Sequence, residues 1–339
     1  MSEIRLHNVT KRFGDIVAVD DVSIDVNEGE FVVVLGPSGA GKTTTLRLIA
    51  GLERPDEGEI FIDGEAATDM HPADRDVAFI FQQYSLYPHL TVFGNLAFPL
   101  RSPRRRTSEA EVSARVRSVA QMLHIESKLT NMATHLSGGE MQRVAIGRAL
   151  VREPKVFLMD EPLSSLDAKL REELRIELKR LHRSIGATII YVTHDQVEAT
   201  TLADRIGILE HGRIVQMGTP REVYGNPASL SAAQRLGSPP INLLPSALFD
   251  PAAMPAGTST VAIRPEDIVL HGTDARDALN LRVLEYSPLR HLLILDREGT
   301  AIVATTMTER NFTPGQTVGV SLPPRSLLYF RSDGRRIPA

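Results

Sequence analysis

The 339-residue sequence predicts an α/β domain built on a parallel, helix-covered sheet, followed by a small all-β domain. Three observations carry this prediction. Apolar runs at 31–35, 77–81, 155–159 and 188–193 have the composition of buried strands and alternate with stretches of helical period. Each run deposits polar groups just past its carboxyl end, the edge of an open α/β sheet where ligands bind. Between Pro220 and Pro240 the composition changes, and beyond it helical periodicity is scarce while short β runs dominate.

In chain order, residues 4–9 and 16–26 form two β-rich runs around a turn at Gly14-Asp15. Phe13 precedes that turn. An aromatic at a strand end either packs or offers a platform on which a base can stack, and the residue alone leaves both open. The run 31–35 leads into Gly36-Pro37-Ser38-Gly39-Ala40-Gly41-Lys42-Thr43-Thr44, and 46–50 reads as a helix. A glycine-rich turn between a strand and a helix is the context of a P-loop. Its glycines let successive N–H groups point inward, and the helix brings its positive dipole end to the same spot. Lys42 can then reach outer phosphates and the Thr43 hydroxyl can hold Mg²⁺.

Residues 59–64 read as a strand ending in an Asp-Gly turn, and 77–81 as a buried strand followed at once by Gln82 and Gln83. The aromatic stretch 84–93, interrupted by Pro88, is too apolar for an ordinary loop and too irregular for a core helix, so it reads as a surface that meets something. Residues 108–128 are helical in pattern, with Val112, Val116, Val119 and Leu123 in register. Leu136-Ser137-Gly138-Gly139-Glu140 then opens a helix. Ser137 is either an ordinary N-cap or, with the glycine pair, part of a second anion site.

The strand 155–159 ends in Asp160-Glu161. Adjacent acids beside a phosphate site can divide the work, one holding Mg²⁺ and the other polarising a water, although both could be solvated turn residues. Leu170, Leu174, Leu178 and Leu181 make an amphipathic helix, and the strand 188–193 delivers His194-Asp195. Residues 206–209 and 213–217 form a closing hairpin through His211-Gly212. Past the boundary, the runs 261–264, 268–270, 281–286, 292–296, 301–305, 317–322 and 327–330 suggest a small barrel.

Net charge is −4 with both signs interspersed, and neither a basic stripe nor an aromatic series accompanies the barrel, so no nucleic-acid partner is expected. The basic cluster from Arg101 to Arg106 reads as a solvated loop. The absence of cysteine excludes disulfides, thiolate catalysis and cysteine-ligated metals. The N-terminus lacks the apolar core of a signal peptide, and no apolar run approaches the ~18 residues that a membrane span needs, so a membrane role is expected only through a partner.

Taken in order, the P-loop, Gln82, Leu136–Glu140, Asp160-Glu161 and His194 resemble the ATP-binding subunits of ABC transporters. Tyr87-Pro88-His89-Leu90, Glu161-Pro162-Leu163-Ser164, Leu166-Asp167-Ala168-Lys169-Leu170-Arg171, Val192-Thr193-His194-Asp195-Gln196, Glu198-Ala199, Ala203-Asp204-Arg205-Ile206 and Ile263-Arg264-Pro265-Glu266 resemble the subfamily that powers carbohydrate import, over nearly the whole chain. The resemblance implies an α/β P-loop NTPase nucleotide-binding domain over 1–235 and a C-terminal small β-barrel (OB-like) regulatory or dimerisation domain over 236–339. It implies ATP and Mg²⁺ as cofactors, with Phe13 stacking on adenine and Gly36 to Thr44 holding phosphates. Thr43, Gln82 and Asp160 serve the metal on this reading, and Glu161, His194 and Gln82 serve catalysis.

The family acts as a dimer with two ATP molecules between subunits. On that basis Ser137, Gly138, Gly139 and Asp167 would contact nucleotide, the serine and Gly139 reaching the γ-phosphate held by a second copy. Two integral membrane permease subunits would dock near Gln82–Phe93, with a substrate-binding protein acting indirectly, at the cytoplasmic face of the cell membrane. The expected cargo is a sugar or sugar derivative, with polyamine, metal or anion as alternatives. DNA-repair and translation ATPases of the superfamily fit poorly, because no sustained heptad run and no second P-loop occur. Three departures from the family pattern stand out: Glu140 where glutamine is commoner, Ser165 where asparagine is usual, and a shorter C-terminal segment.

Overall fold

Residues 3–103, 107–273, 279–306 and 311–338 are described by a computed structural model, and the chain divides into two compact units, Met1–Pro220 and Arg221–Ala339. Arg104, Arg105 and Arg106, three of the four arginines in the basic cluster noted above, lie outside the described residues. In chain order the first unit contains β1 (Ile4–Phe13), β2 (Ile16–Val26), β3 (Phe31–Leu35), α1 (Lys42–Ala50), β4 (Glu57–Ile62), β5 (Glu65–Ala66), β6 (Val77–Ile80) and α2 (Val92–Ala97). It continues with α3 (Glu109–Met122), α4 (Gly138–Leu150), β7 (Val156–Asp160), α5 (Ala168–Ile185), β8 (Thr188–Thr193), α6 (Gln196–Leu202), β9 (Arg205–Glu210) and β10 (Arg213–Gly218).

Two sheets share one core. An antiparallel sheet has the order β2-β1-β4-β5, and a six-stranded sheet has the order β10-β9-β3-β8-β7-β6. The second is parallel except for the β9–β10 hairpin, as the alternation of strands and helices predicts. Strands β3, β7 and β8 are buried at every position, which is why they read as unbroken apolar runs. In β1, by contrast, buried Ile4 and Leu6 alternate with exposed residues. Ile4, Leu6, Ile24 and Ile60 of the antiparallel sheet pack with Val32, Val34, Leu158 and Ile190 of the parallel one, and with Leu46 and Ile49 of α1.

Local chemistry sets the element ends. The hairpin turns Asp63-Gly64 and His211-Gly212 have positive φ at both residues, the geometry that two-residue hairpins require. α1 stops at Gly51 in a left-handed conformation, its N–H reaching the Leu48 carbonyl, and the buried Arg75 donates to the carbonyls of Leu48 and Ile49, both at 2.8 Å. Ser108 and Glu111 form a capping box on α3, which ends at Met122, earlier than the helical pattern through 128 suggests. α4 packs on α2 and α3 across Gly147, where a Cβ would come within 2.8 Å of Leu96 and 3.0 Å of Leu123.

The second unit contains α7 (Pro220–Gly225), α8 (Leu230–Arg235), β11 (Asn242–Pro245), β12 (Thr260–Ile263), β13 (Val269–His271), β14 (Leu279–Ser287) and β15 (Leu292–Arg297), then β16 (Thr300–Thr305), β17 (Thr317–Ser321), β18 (Leu328–Phe330) and β19 (Arg336–Ile337). All seven expected β runs are strands. The expected barrel takes the form of two antiparallel sheets, β11-β12-β18-β19 and β13-β17-β14-β15-β16, around one core that includes Leu244, Ile263, Val283, Leu293, Ile302 and Val320. Buried Asn242 ties the sheets together: its Nδ2 donates to the Val303 carbonyl (2.8 Å) and its Oδ1 accepts from the Val303 N–H (2.7 Å). Arg264, from the Ile263–Glu266 motif, is buried and donates to the carbonyls of Tyr224, Ala233 and Leu236, closing the ends of α7 and α8.

Candidate active site

The strand order brings the carboxyl ends of β3, β8, β7 and β6 into adjacent positions. Leu35 is level with Thr193, Val192 with Asp160, and Met159 with Ile80. The loops leaving these ends carry the P-loop, His194, Glu161 and Gln82.

The P-loop conformation is one that only glycine permits. Gly39 and Gly41 have φ of +78° and +103°, and a Cβ at Gly41 would lie 2.2 Å from the Ala18 carbonyl. At Gly36 the obstacle is the Leu209 carbonyl, 2.3 Å away. Ala40 is buried, Pro37 and Thr44 are half-buried, and Ser38 is exposed at the tip. The loop curls around Lys42, whose Nζ donates to the carbonyls of Gly36 (3.1 Å) and Pro37 (3.0 Å) and pairs with Glu161 Oε1 at 3.1 Å. The lysine side chain is only 5% exposed, so these three acceptors offset the desolvation of its charge.

Asp160 and Glu161 sit side by side but face different partners. The Thr43 hydroxyl donates to Asp160 Oδ1 at 2.9 Å, and burial pushes the Asp160 carboxyl above its ordinary range. Glu161 adopts φ +43°, unusual for a residue with a side chain, while its N–H still bonds the Val192 carbonyl (3.0 Å). The turn aims Oε2 at His194 Nδ1, 2.8 Å away, so Lys42, Glu161 and His194 form one line of contacts. Gln82 reaches Ser164 Oγ at 3.4 Å, and that hydroxyl donates to the Glu161 carbonyl (2.8 Å).

The segment from Ser137 to Gly139 opens α4, as expected. Ser137 is the N-cap in a capping box with Glu140, and Gly139 lies so close to Leu170 that a Cβ would approach its side chain to 2.8 Å. Among the described residues, no hydrogen bond or ion pair joins residues 137–139 to residues 36–44. Asp167 caps α5, its Oδ1 accepting from the Leu170 N–H at 3.0 Å. Phe13 ends β1 opposite Ile16 with 45% of its surface exposed, and Lys11 lies 5.3 Å from its ring centre.

Several supporting residues carried no role in the sequence analysis. Thr193 accepts the Gly36 N–H on its carbonyl (3.3 Å) and donates its hydroxyl to Glu198 (2.6 Å), which also receives the Tyr191 hydroxyl (2.8 Å). Arg171 donates to the carbonyls of Leu166 (2.9 Å) and Ser164 (3.4 Å) and pairs with Asp195 at 3.6 Å. The signal for Glu198 was an acid on a short helix beside Ala199 and Leu202, which put it on the buried face. The aromatic stretch is organised by buried Asn95, which accepts the Tyr87 N–H (2.8 Å) and donates to the Tyr87 and Thr91 carbonyls (both 3.1 Å). Arg148 stacks 5.4 Å over Tyr87 and donates to the Ser85 carbonyl (2.6 Å), while Phe81 and Phe98 stay exposed nearby in sequence.

Both units resemble families of known proteins. A family model described as ABC transporter matches residues 19–164, and one described as TOBE domain matches residues 261–330. The chain is 44% identical over 351 residues to an sn-glycerol-3-phosphate import ATP-binding protein of Brucella abortus, covering 99% of each. It is 48% identical over 278 residues to a trehalose/maltose import ATP-binding protein of Thermococcus litoralis, covering 80% of this chain and 74% of the relative. Among solved structures, a dimeric ATP-binding cassette in a post-hydrolysis state, bound to ADP and Pi, superposes with a TM-score of 0.58 at 36% identity, covering 64% of this chain and 99% of that one.

Proposed function

The chain belongs to the ATP-binding import subunits of the ABC transporter family, and from that premise we propose that it is the ATP-hydrolysing motor of an importer for a sugar or a sugar derivative such as a glycerol phosphate. The observation that carries the reading is the Lys42–Glu161–His194 line beside the P-loop, with Thr43 and Asp160 alongside.

Incoming phosphates compete for Lys42. Its ammonium is shared between two backbone carbonyls and Glu161, and a polyphosphate seated on the P-loop N–H groups draws Lys42 toward itself. That exchange releases Glu161 from its cation and leaves the carboxylate with His194. Glu161 then accepts the proton of the attacking water, and His194, bonded through Nδ1, offers Nε2 to the γ-phosphate. Thr43 and Asp160 form an oxygen pair suited to a hard cation, so they would hold Mg²⁺, with Gln82 reporting on its presence. When bound, that ion supplies neutralisation of phosphate charge. Phe13, exposed at a strand end, stacks on the adenine.

Ser137, Gly138 and Gly139, with Asp167, complete the site of a second copy, so the working unit is a dimer around two ATP molecules. Their lack of any bond to the P-loop of their own chain supports this reading. Two membrane subunits dock on the aromatic surface between Gln82 and Phe93, which holds the chain at the cytoplasmic face of the membrane. No helix among the described residues is long and apolar enough to cross it. The C-terminal domain, expected over 236–339 and lying within the second unit, serves regulation or dimerisation.

Glu161→Gln tests the catalytic assignment. ATP binding is retained, turnover falls by at least a hundredfold, and an ATP-dependent dimer accumulates on size exclusion. Near-normal turnover refutes it.

A further inference from the structure

The N-terminus of α4, which on the reading above receives the γ-phosphate of a second copy, already holds an anion of its own. Glu140 Oε2 accepts both the Ser137 N–H (2.9 Å) and the Ser137 hydroxyl (3.0 Å). Glu140 Oε1 pairs with Lys128 Nζ at 2.9 Å, from the short 3₁₀ turn Glu126–Lys128. The Ser137 N–H, followed by Lys128, holds the Glu140 carboxyl below its usual range, so it stays ionised at physiological pH.

A serine hydroxyl has one hydrogen to donate. Here it is committed to Glu140, so Ser137 can donate to a phosphate only by turning away from that carboxylate. The carboxylate stays beside the incoming phosphate, where like charges repel. Lys128, on the far oxygen, is placed to offset that repulsion. Glutamine at the same position satisfies the capping box equally well, since its amide oxygen accepts the Ser137 N–H, yet brings no charge.

We propose that Glu140 and Lys128 form a charge couple that sets how tightly the Ser137–Gly139 segment grips the triphosphate of the opposing copy, Glu140 weakening the closed dimer and Lys128 restoring part of that loss. Both are positioning residues that act through Ser137. The inference rests on the two-copy site proposed above and deepens it.

The test uses the full chain carrying Glu161→Gln, so that the ATP-bound dimer persists, and reads the dimer dissociation constant by analytical ultracentrifugation with Mg²⁺–ATP. Adding Glu140→Gln tightens the dimer about tenfold for each of its two sites, as expected for one like-charge contact at a partly exposed position. Lys128→Met weakens the dimer several-fold when Glu140 is present and has no effect in the Glu140→Gln background. Raising salt from about 0.05 to 0.5 M narrows the difference between the glutamate and glutamine chains, because the screening length falls. A plain capping role predicts no tightening with glutamine and no dependence of Lys128 on Glu140; either result overturns the charge couple. If Glu161→Gln alone forms no ATP-dependent dimer, the two-copy reading fails, and the inference with it.

Discussion

Lys42 and Glu161 form a largely buried ion pair beside the P-loop, and a double-mutant cycle at this pair tests how strongly the two charges depend on each other. Lys42→Met removes the cation that Glu161 Oε1 faces at 3.1 Å, leaving a carboxylate that is only 14% exposed. Breaking a fully buried pair from one side costs about 3–5 kcal/mol. Glu161 keeps His194 and some solvent contact, so we expect about 2 kcal/mol here. For a unit the size of Met1–Pro220 that lowers the melting temperature by about 4–8 °C. Glu161→Gln alone leaves Lys42 its two backbone carbonyls and costs about 1 kcal/mol. Combining the two changes replaces both charges and recovers most of the loss, since a methionine and an amide are far cheaper to bury than a lone carboxylate. Differential scanning fluorimetry on the four chains, without nucleotide and at fixed pH, reads the cycle. An undiminished melting temperature for Lys42→Met, or strictly additive losses in the double variant, refutes the coupling and with it the release of Glu161 on phosphate binding.

Three further outcomes follow from the geometry. Phe13→Ala weakens binding of ATP about tenfold in isothermal titration while inorganic triphosphate binds as before, since only the nucleotide has a base to stack; equal affinity for ATP in both chains returns Phe13 to a packing role. Burial raises the Asp160 carboxyl in the folded chain above its unfolded value, so folding takes up a proton between the two values and stability falls as pH rises through that window. Asp160→Asn cannot ionise, so it melts higher than the unsubstituted chain at pH 7, and the gain disappears as pH is lowered past 3.8; a gain that persists there contradicts the desolvation account. Asn242→Leu strips two hydrogen bonds from Val303, costs about 2 kcal/mol and speeds amide exchange in β16, measurable by mass spectrometry, with β3, β7 and β8 unaffected.

Much of the site was legible because its chemistry is local. The glycines of residues 36–41 declare their own backbone angles, and Ser137 and Glu140 declare a helix start three residues apart. The strands of the second unit were legible as short apolar runs, except β11 and β19. β11 hides in a proline-rich stretch as Asn242–Pro245, and its one distinctive residue, Asn242, reads as polar loop until Val303 of β16 is seen against it. Arg264 was visible only as part of a motif. That it closes two helices through three carbonyls depends on how α7 and α8 pack, about which the local sequence says nothing.

By itself the sequence determined most of the elements: which runs are buried strands, where the hairpins turn, that Ser137 opens a helix, and that a glycine-rich turn joins β3 to α1. These depend on φ restrictions and hydrogen bonds within a few residues. Only the tertiary structure decided which polar groups meet. Neither the spacing of Lys42, Glu161 and His194 nor their flanking residues specify that Glu161 stands between the other two. That arrangement follows from the order β3-β8-β7-β6, which depends on burying strand faces against α1 and the antiparallel sheet. The same holds for Glu140. The sequence offers Ser137 as a cap and leaves Glu140 as a departure from the commoner glutamine; the fold joins the two in a capping box and adds Lys128, placing a charged pair where we propose that a phosphate binds.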